Sequence, residues 1–328
     1  MKKHGMLLLL IILLFILLCF SLWQSNFGLK TVRYTVGREG LPAGFEGYRI
    51  VQLSDLHSVS FGKGNARLIE KIKRENPNII VMTGDMVSRF DEDFSVTLAL
   101  CRSLAGEYPV YYIRGNHEEG LDSAVWENFR TELVEAGVQL LDNETVSLSA
   151  PNGDTVNLIG LWYKLDYYHQ YAAHYRPVTP ETVYTILGDA PEGYNILLAH
   201  NPNYFPTYAE WGADLIFSGH IHGGMIRLPL IGGVLSPETI LFPEYDGGSY
   251  QIHDKTMILS RGLGRGHMGL RLFNTPEIVV VTLPSLDKST YGFCRQKCSL
   301  TLCVALTGAS LPAAPHFLRR HFCRAKTP

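Results

Sequence analysis

Eight polar residues of this 328-residue chain stand just behind short apolar runs. Asp55 and His57 follow the run at 48–53, Asp85 follows 79–82, and Asn116 and His117 follow 110–113. His200 follows 195–199, and His220 with His222 follows 214–217. Imidazole nitrogens suit zinc, iron and related ions, and carboxylate and amide oxygens add harder ligands. The set is large enough for two ions if one carboxylate lies between them. Two metals about 3.5–4 Å apart clamp the attacking and leaving oxygens of an in-line displacement and lower the pKa of a bound water. A single His behind a strand is usually a satisfied structural residue. Repetition at five strand ends is what points to a metal site.

The elements that must position these residues are legible as alternating strands and helices. Strands are expected at 48–53, 79–82, 110–113, 195–199 and 214–217, with helices at 65–74, 95–104 and 123–136 carrying apolar residues at helical spacing. Strands or hairpins fill 138–161, with Pro151-Asn152-Gly153-Asp154 as a turn, and further strands fit 248–253, 255–260 and 277–283. In open α/β sheets the loops at the carboxyl ends of strands converge on one crevice. The predicted fold is α/β, with two packed mixed sheets flanked by helices.

The blocks Asp55-Leu56-His57, Gly84-Asp85, Gly115-Asn116-His117-Glu118, His200 and Gly219-His220-Ile221-His222 resemble, in order, the five motifs of calcineurin-like metallophosphoesterases. The resemblance covers about 45–284. Ala199-His200-Asn201-Pro202, Arg261-Gly262-Leu263-Gly264 and Arg271-Leu272-Phe273-Asn274 are similar to the family's membrane-associated bacterial branch.

The resemblance implies the α/β/β/α sandwich of that family and a metal-dependent phosphoesterase. It implies that Asp55, His57 and His222 bind a first metal, that Asn116, His200 and His220 bind a second, and that Asp85 bridges both together with a hydroxide that attacks phosphorus directly. The ions would be two of Mn, Fe or Zn, and the motifs do not choose among them. His117 would face the substrate, protonating the leaving oxygen or stabilising its charge. Arg114 stands two residues before Asn116, as in the protein-phosphatase form of the block. It would bind a phosphate oxygen, or else make a surface salt bridge.

Two stretches bear on the substrate. The segment 162–176 holds Trp162, Tyr163, Tyr167, Tyr168, Tyr171 and Tyr175 with His169 and His174, and would form a wall or lid over the metals. The segment 226–242 is apolar and follows the His220–His222 block. Either it packs on the body or it serves a lipid-linked, membrane-near substrate. His267 sits in a glycine-rich loop read as structural, and His253 in a solvent-facing strand position with no role.

The chain ends differ from the body. After a short basic start (1–5), residues 6–23 run apolar, and eighteen helical residues span roughly 27 Å, close to a bilayer's hydrocarbon core. A cleaved signal peptide is the rival reading. Lys2 and Lys3 favour a cytoplasmic start and an extracytoplasmic body, anchored by one pass in a bacterial cell membrane. Residues 24–44 are a linker and first strand, and 45–285 the phosphoesterase domain. Residues 48–285 carry 28 Asp/Glu against 17 Lys/Arg, and the chain shows no nucleic-acid-binding signature. Residues 286–328 are basic, hold four of the six cysteines, and read as a tail outside the fold. Cys101 reads as a buried small hydrophobe. The expected partner is a phosphodiester or phosphomonoester. A silent binding protein on the same fold, or a hydrolase of soluble nucleotides, is the alternative, and the sequence leaves oligomeric state open.

Overall fold

The apolar amino terminus forms a single long helix in the computed structural model, which describes residues 2–37, 40–168, 175–266, 269 and 271–284. This helix, α1 (Lys2–Phe27), outruns the apolar stretch that predicts it, because Gln24, Ser25 and Asn26 continue the helix into the body. His4–Phe27 is long and apolar enough to cross a membrane, and its most apolar window has no burial against the rest of the protein.

Two six-stranded sheets follow. The first contains β1 (Lys30–Thr35), β2 (Arg49–Leu53), β3 (Ile79–Thr83), β4 (Val110–Ile113) and β5 (Gln139–Leu140), closed by the last strand of the chain (Glu277–Thr282) in the order β1–last–β2–β3–β4–β5. The second contains β6 (Thr145–Ser149), β7 (Thr155–Leu161), β8 (Asn195–Ala199) and β9 (Leu215–Ser218). A two-stranded hairpin, β10 (Ile226–Leu228) and β11 (Gly232–Leu235), precedes its remaining strands, β12 (Gly248–Ile252) and β13 (Lys255–Leu259); Glu277–Thr282 is β14. The strands β2, β3, β4 and β5 are mutually parallel, as are β7, β8, β9 and β13. Their carboxyl ends therefore share one edge of each sheet. β1 pairs in parallel with β14, so the stretch before the domain supplies an edge strand of the first sheet.

The described residues form three buried apolar clusters, which explains why these strands read as unbroken apolar runs. Ile50, Val81 and Ile113 of the first sheet meet Leu158, Ile196, Leu198 and Phe217 of the second. On the outer face, Val51, Leu53, Ile80 and Met82 pack under α2 (Ala66–Glu75), α3 (Ser95–Ala105) and α5 (Ser123–Glu135), the last preceded by the one-turn α4 (Asn116–Glu119). Leu197, Ala199 and Ile216 pack under α6 (Pro180–Leu187) and α7 (Phe205–Trp211), two helices absent from the sequence reading. Strands buried on both faces lose the polar alternation of a half-exposed sheet. Cys101 lies in the first outer cluster, 3.8 Å from Met82 Sδ, and burial pushes its thiol up to about 12. His253 sits in the exposed turn between β12 and β13 rather than within a strand. His267, Tyr171, His169, His174 and the tail 285–328 lie outside the described residues.

Candidate metal centre

Three of the parallel strands that carry candidate ligands, β2, β3 and β9, stop where the chain turns into left-handed backbone. Asp55 (φ 51°), His57 (φ 46°), Asp85 (φ 54°), His220 (φ 73°) and His222 (φ 53°) all have positive φ. Such conformations cost roughly 1–3 kcal/mol each in non-glycine residues and persist only where neighbours hold them. Here the loops hold one another. The backbone N–H of Asp55 donates to Gly84 O (3.0 Å), that of His57 to Asp85 O (3.1 Å), and that of His220 to Asp55 Oδ1 (2.9 Å). The approach is close enough to require glycine at two positions. A Cβ on Gly115 would stand 2.3 Å from Asp85 Oδ1, and one on Gly219 2.5 Å from Asp55 Oδ2.

The result is two groups of inward-facing ligand atoms that share Asp85. Asp55, His57, Asp85 and His222 form one, and Asp85, His200 and His220 the other, with the ligand atoms of each within 4.8 Å of one another. His57 Nε2 and His222 Nε2 face each other at 3.1 Å, and His222 Nε2 lies 3.5 Å from Asp55 Oδ1. His200 Nε2 is 3.2 Å from Asp85 Oδ2. The Asn116 amide lies beside the second group, 2.8 Å from His220 Nδ1 and 3.3 Å from His200 Nε2 and Asp85 Oδ2. With its oxygen inward, Asn116 meets only acceptors. Turned over, its nitrogen donates to His220 Nδ1 and Asp85 Oδ2 and its oxygen accepts from Arg89 Nη2 at 3.1 Å; an ion among these groups would take the oxygen-inward orientation.

This donor set fits cations. Asp55 Oδ2 and His222 Nδ1 are buried and have no hydrogen-bond partner among the described residues. Burial holds His57 down to about 3 and pushes His222 well below the usual imidazole range, so both present lone pairs rather than protons. Burial works to raise Asp85 and to lower His200. Their mutual attraction overcomes both, leaving Asp85 well below the carboxylate range and His200 up at about 9. A proton on His200 thus neutralises Asp85 in the polypeptide alone, and a metal ion taking that place must release it. The outer nitrogen of His200 is fixed separately, Nδ1 donating to Thr83 O at 2.6 Å.

Two supporting carboxylates escape the sequence reading. Glu118, though part of the third block, has no role assigned by sequence. It accepts from the backbone N–H of Asp85 (2.8 Å), Met86 (2.7 Å) and Gly115 (2.9 Å) and from Tyr112 Oη (2.6 Å). It thereby ties the second and third loops together. Glu238, in the apolar 226–242 segment, accepts from His220 Nε2 at 2.8 Å and so turns Nδ1 toward the ligand cluster. Carboxylates behind metal-bound imidazoles are worth about 10–100-fold in metal affinity. Glu238→Gln is therefore expected to weaken metal binding by that factor, with Glu238→Asp recovering part of it. Chelator competition measured on refolded-control samples with unchanged circular dichroism checks this.

His117 stands at the rim, half-buried, its backbone N–H donating to Asp85 Oδ1 at 2.7 Å. The Arg89 backbone N–H donates to His117 Nδ1 at 3.2 Å, which leaves the proton of the neutral ring on Nε2. Burial lowers the His117 pKa, favouring that neutral form. Arg114 is not brought to this set. Its guanidinium binds Asp142 (Nη2–Oδ2 2.9 Å) and Glu119 (3.6 Å) and lies over Trp162 (3.7 Å) and Trp126 (4.6 Å). The guanidinium beside the cluster belongs to Arg89, four residues after Asp85. Part of the aromatic segment forms a wall. Tyr168 is buried edge-on to His220, with ring centroids 5.4 Å apart.

The sequence comparisons agree on one family. The family model for calcineurin-like phosphoesterases matches residues 48–224. The metallophosphoesterase YkuE of Bacillus subtilis is 28% identical over 264 residues, covering 79% of this chain and 87% of that protein. The UDP-2,3-diacylglucosamine pyrophosphatase LpxG of Chlamydia muridarum is 27% identical, covering 79% of this chain and 92% of its own. Phosphodiesterase YaeI of Escherichia coli is 27% identical, covering 72% and 82%. Among solved structures, a dimetal phosphatase from Danio rerio is similar with a TM-score of 0.43 and 13% identity, over 73% of this chain and 93% of that one.

Proposed function

Because the chain belongs to the calcineurin-like phosphoesterase family, and is therefore a metal-dependent phosphoesterase, we propose that it is a membrane-anchored hydrolase of lipid-linked or membrane-near phosphoesters, with diesters preferred. The observation that carries the chemistry is the pair of ligand groups meeting at Asp85. Support for the substrate class comes from the exposed apolar α1 and from relatives named a phosphodiesterase and a pyrophosphatase of a diacylated sugar nucleotide. The anchored body is extracytoplasmic, on the strength of Lys2 and Lys3 ahead of the helix.

When bound, the two ions supply Lewis acidity to the phosphoryl oxygens and a water acidic enough to react at neutral pH. Asp55, His57 and His222 would hold the first ion, Asn116, His200 and His220 the second, and Asp85 would serve both. His117 directs its Nε2 proton toward the leaving oxygen. Arg89 offers its guanidinium to a non-bridging phosphate oxygen, a role we assign to it rather than to Arg114, whose donors are already engaged.

Turnover of bis-p-nitrophenyl phosphate and p-nitrophenyl phosphate tests this reading. The detergent-solubilised full chain is stripped with chelator and reloaded with Mn²⁺, Zn²⁺ or Fe²⁺. Metal-dependent hydrolysis with the diester favoured is expected, and His117→Ala should cut kcat by about 10²–10⁴ with metal content unchanged. Folded, metal-loaded protein that hydrolyses neither ester would overturn the assignment.

A further inference from the structure

The end of α1 is built into the body, and the polypeptide it is built into leads directly to the hairpin β10–β11. Asn26 exchanges two hydrogen bonds with the backbone of Arg271, Nδ2 donating to its O (3.0 Å) and Oδ1 accepting from its N–H (3.3 Å). Ser25 Oγ accepts from the backbone N–H of Asn274 at 3.0 Å. The residue next to Arg271 continues the ladder. Arg227 N–H donates to Leu272 O at 3.0 Å, and Ile226 bridges Leu272 in parallel. From the helix end to the hairpin there is thus one strip of chain, 271–274, hydrogen-bonded on both sides.

The side chains along this path are of two kinds. Leu228 (40% exposed), Leu230 (96%), Ile231 (44%), Leu241 (65%) and Phe273 (40%) present apolar surface to the outside. From 228 to 237 the chain has no charged residue at all. Around the helix exit stand two guanidiniums. Arg67 Nη2 donates to Phe27 O at 3.3 Å, and Arg265 lies 5.3 Å from the centre of the Phe27 ring. Cations at the level where an apolar helix leaves, with exposed apolar side chains beside them, match the layering of a bilayer's phosphate and hydrocarbon zones.

We propose that the helix end, the 271–274 strip and the 226–242 segment form one membrane-seated platform, in which Leu228, Leu230, Ile231 and Leu241 enter the headgroup–hydrocarbon boundary of the same bilayer that α1 crosses. This rests on the reading of α1 as an anchor. The inner side of the same segment carries Glu238, bonded to His220, so the candidate metal centre opens beside the lipid surface. An apolar loop of this kind lies in the interface plane without spanning it. The substrate such a platform suits is one whose phosphoester stands at headgroup level while its acyl chains stay in the leaflet.

Site-specific photocrosslinking on the full chain in phosphatidylglycerol/phosphatidylethanolamine vesicles tests the platform. p-Benzoylphenylalanine replaces Leu230 in one sample and Trp23 of α1 in a second. In two others it replaces Val134 of α5 or Tyr184 of α6, which are exposed on the two helical layers. Lipid adducts at 230 at least five-fold above those at 134 and 184, alongside strong adducts at 23, are the expected result. Adducts at 23 with none above background at 230 would overturn the platform and leave the anchor standing. Adducts at 230 to a second copy of the chain, rather than to lipid, would equally overturn it. No lipid adduct at 23 would remove the anchor reading itself and the platform with it.

Discussion

Asp85→Asn is expected to abolish metal-dependent hydrolysis while the protein stays folded. The isosteric amide keeps the oxygen that accepts from the His117 backbone N–H, now 2.7 Å from Asp85 Oδ1, and its nitrogen can donate to His200 Nε2. What disappears is the one negative charge shared by both ligand groups. Without it the imidazoles of His57, His200, His220 and His222 face a pocket whose remaining anion is Asp55. Two cations sharing this carboxylate would lose the charge that offsets their repulsion. If the lost Lewis acidity is worth several kcal/mol, turnover falls by about 10³ or more. Metal analysis of the purified variant should show that the second ion is gone. The rise in Tm that a native-state ligand produces should shrink with it. Native-like turnover and an unchanged Tm response to Mn²⁺ would show that Asp85 does not join the two groups.

The contrast between Asp85 and Glu238 shows what a sequence makes visible and why. Asp55, His57, Asp85, Asn116 and the two histidines of the last block sit at the carboxyl ends of parallel strands. The apolar run announces the strand, and the polar residue behind it announces the crevice. The strands β2, β3, β4, β8 and β9 were legible for the same reason, each being buried on both faces. Glu238 has no such marker. It reaches His220 across 18 residues of glycine-rich chain whose strands, β10 and β11, have only three and four residues, too short to show a period. Arg89 lay within reach, four residues past Asp85 in the same loop. The phosphate role falls to Arg114 by resemblance to the protein-phosphatase form of the third block, and that resemblance does not reveal that Trp126 and Trp162 enclose its guanidinium. Nor does it reveal that five candidate ligands and supporting turns adopt left-handed backbone, which is a property of loops pressed together and not of any one of them.

Arg271 is the residue whose replacement should cost the most stability, and the reason lies in its partners. The side chain is 1% exposed, yet no carboxylate among the described residues hydrogen-bonds it. Its two terminal nitrogens instead serve backbone carbonyls, while Nε has no partner among the described residues. Nη1 donates to Gly262 O (3.1 Å) and Gly264 O (2.6 Å), and Nη2 to His222 O (3.2 Å) and Arg261 O. Burial brings its pKa down to about 10, still high enough to keep the guanidinium charged at neutral pH. A planar fork can span four carbonyls on three turns of chain, whereas the single ammonium of a lysine cannot. Arg271→Lys would leave two or more of these carbonyls buried without donors, at about 1–3 kcal/mol each. A total near 3–4 kcal/mol corresponds to a Tm drop of about 6–15 °C in a domain of this size. Arg271→Met should do at least as much damage, because it removes every donor. The loss should also reach the metal centre, since His222 is held at its carbonyl by Arg271 and by Asn274 Nδ2 (2.6 Å). Differential scanning calorimetry of the full chain in detergent, with and without Mn²⁺, separates the two effects. A Tm within about 2 °C of the native protein would mean that this carbonyl cluster does not depend on the guanidinium. A large drop that added Mn²⁺ no longer offsets would place the strip between α1 and β10 in direct mechanical contact with the candidate ligand His222.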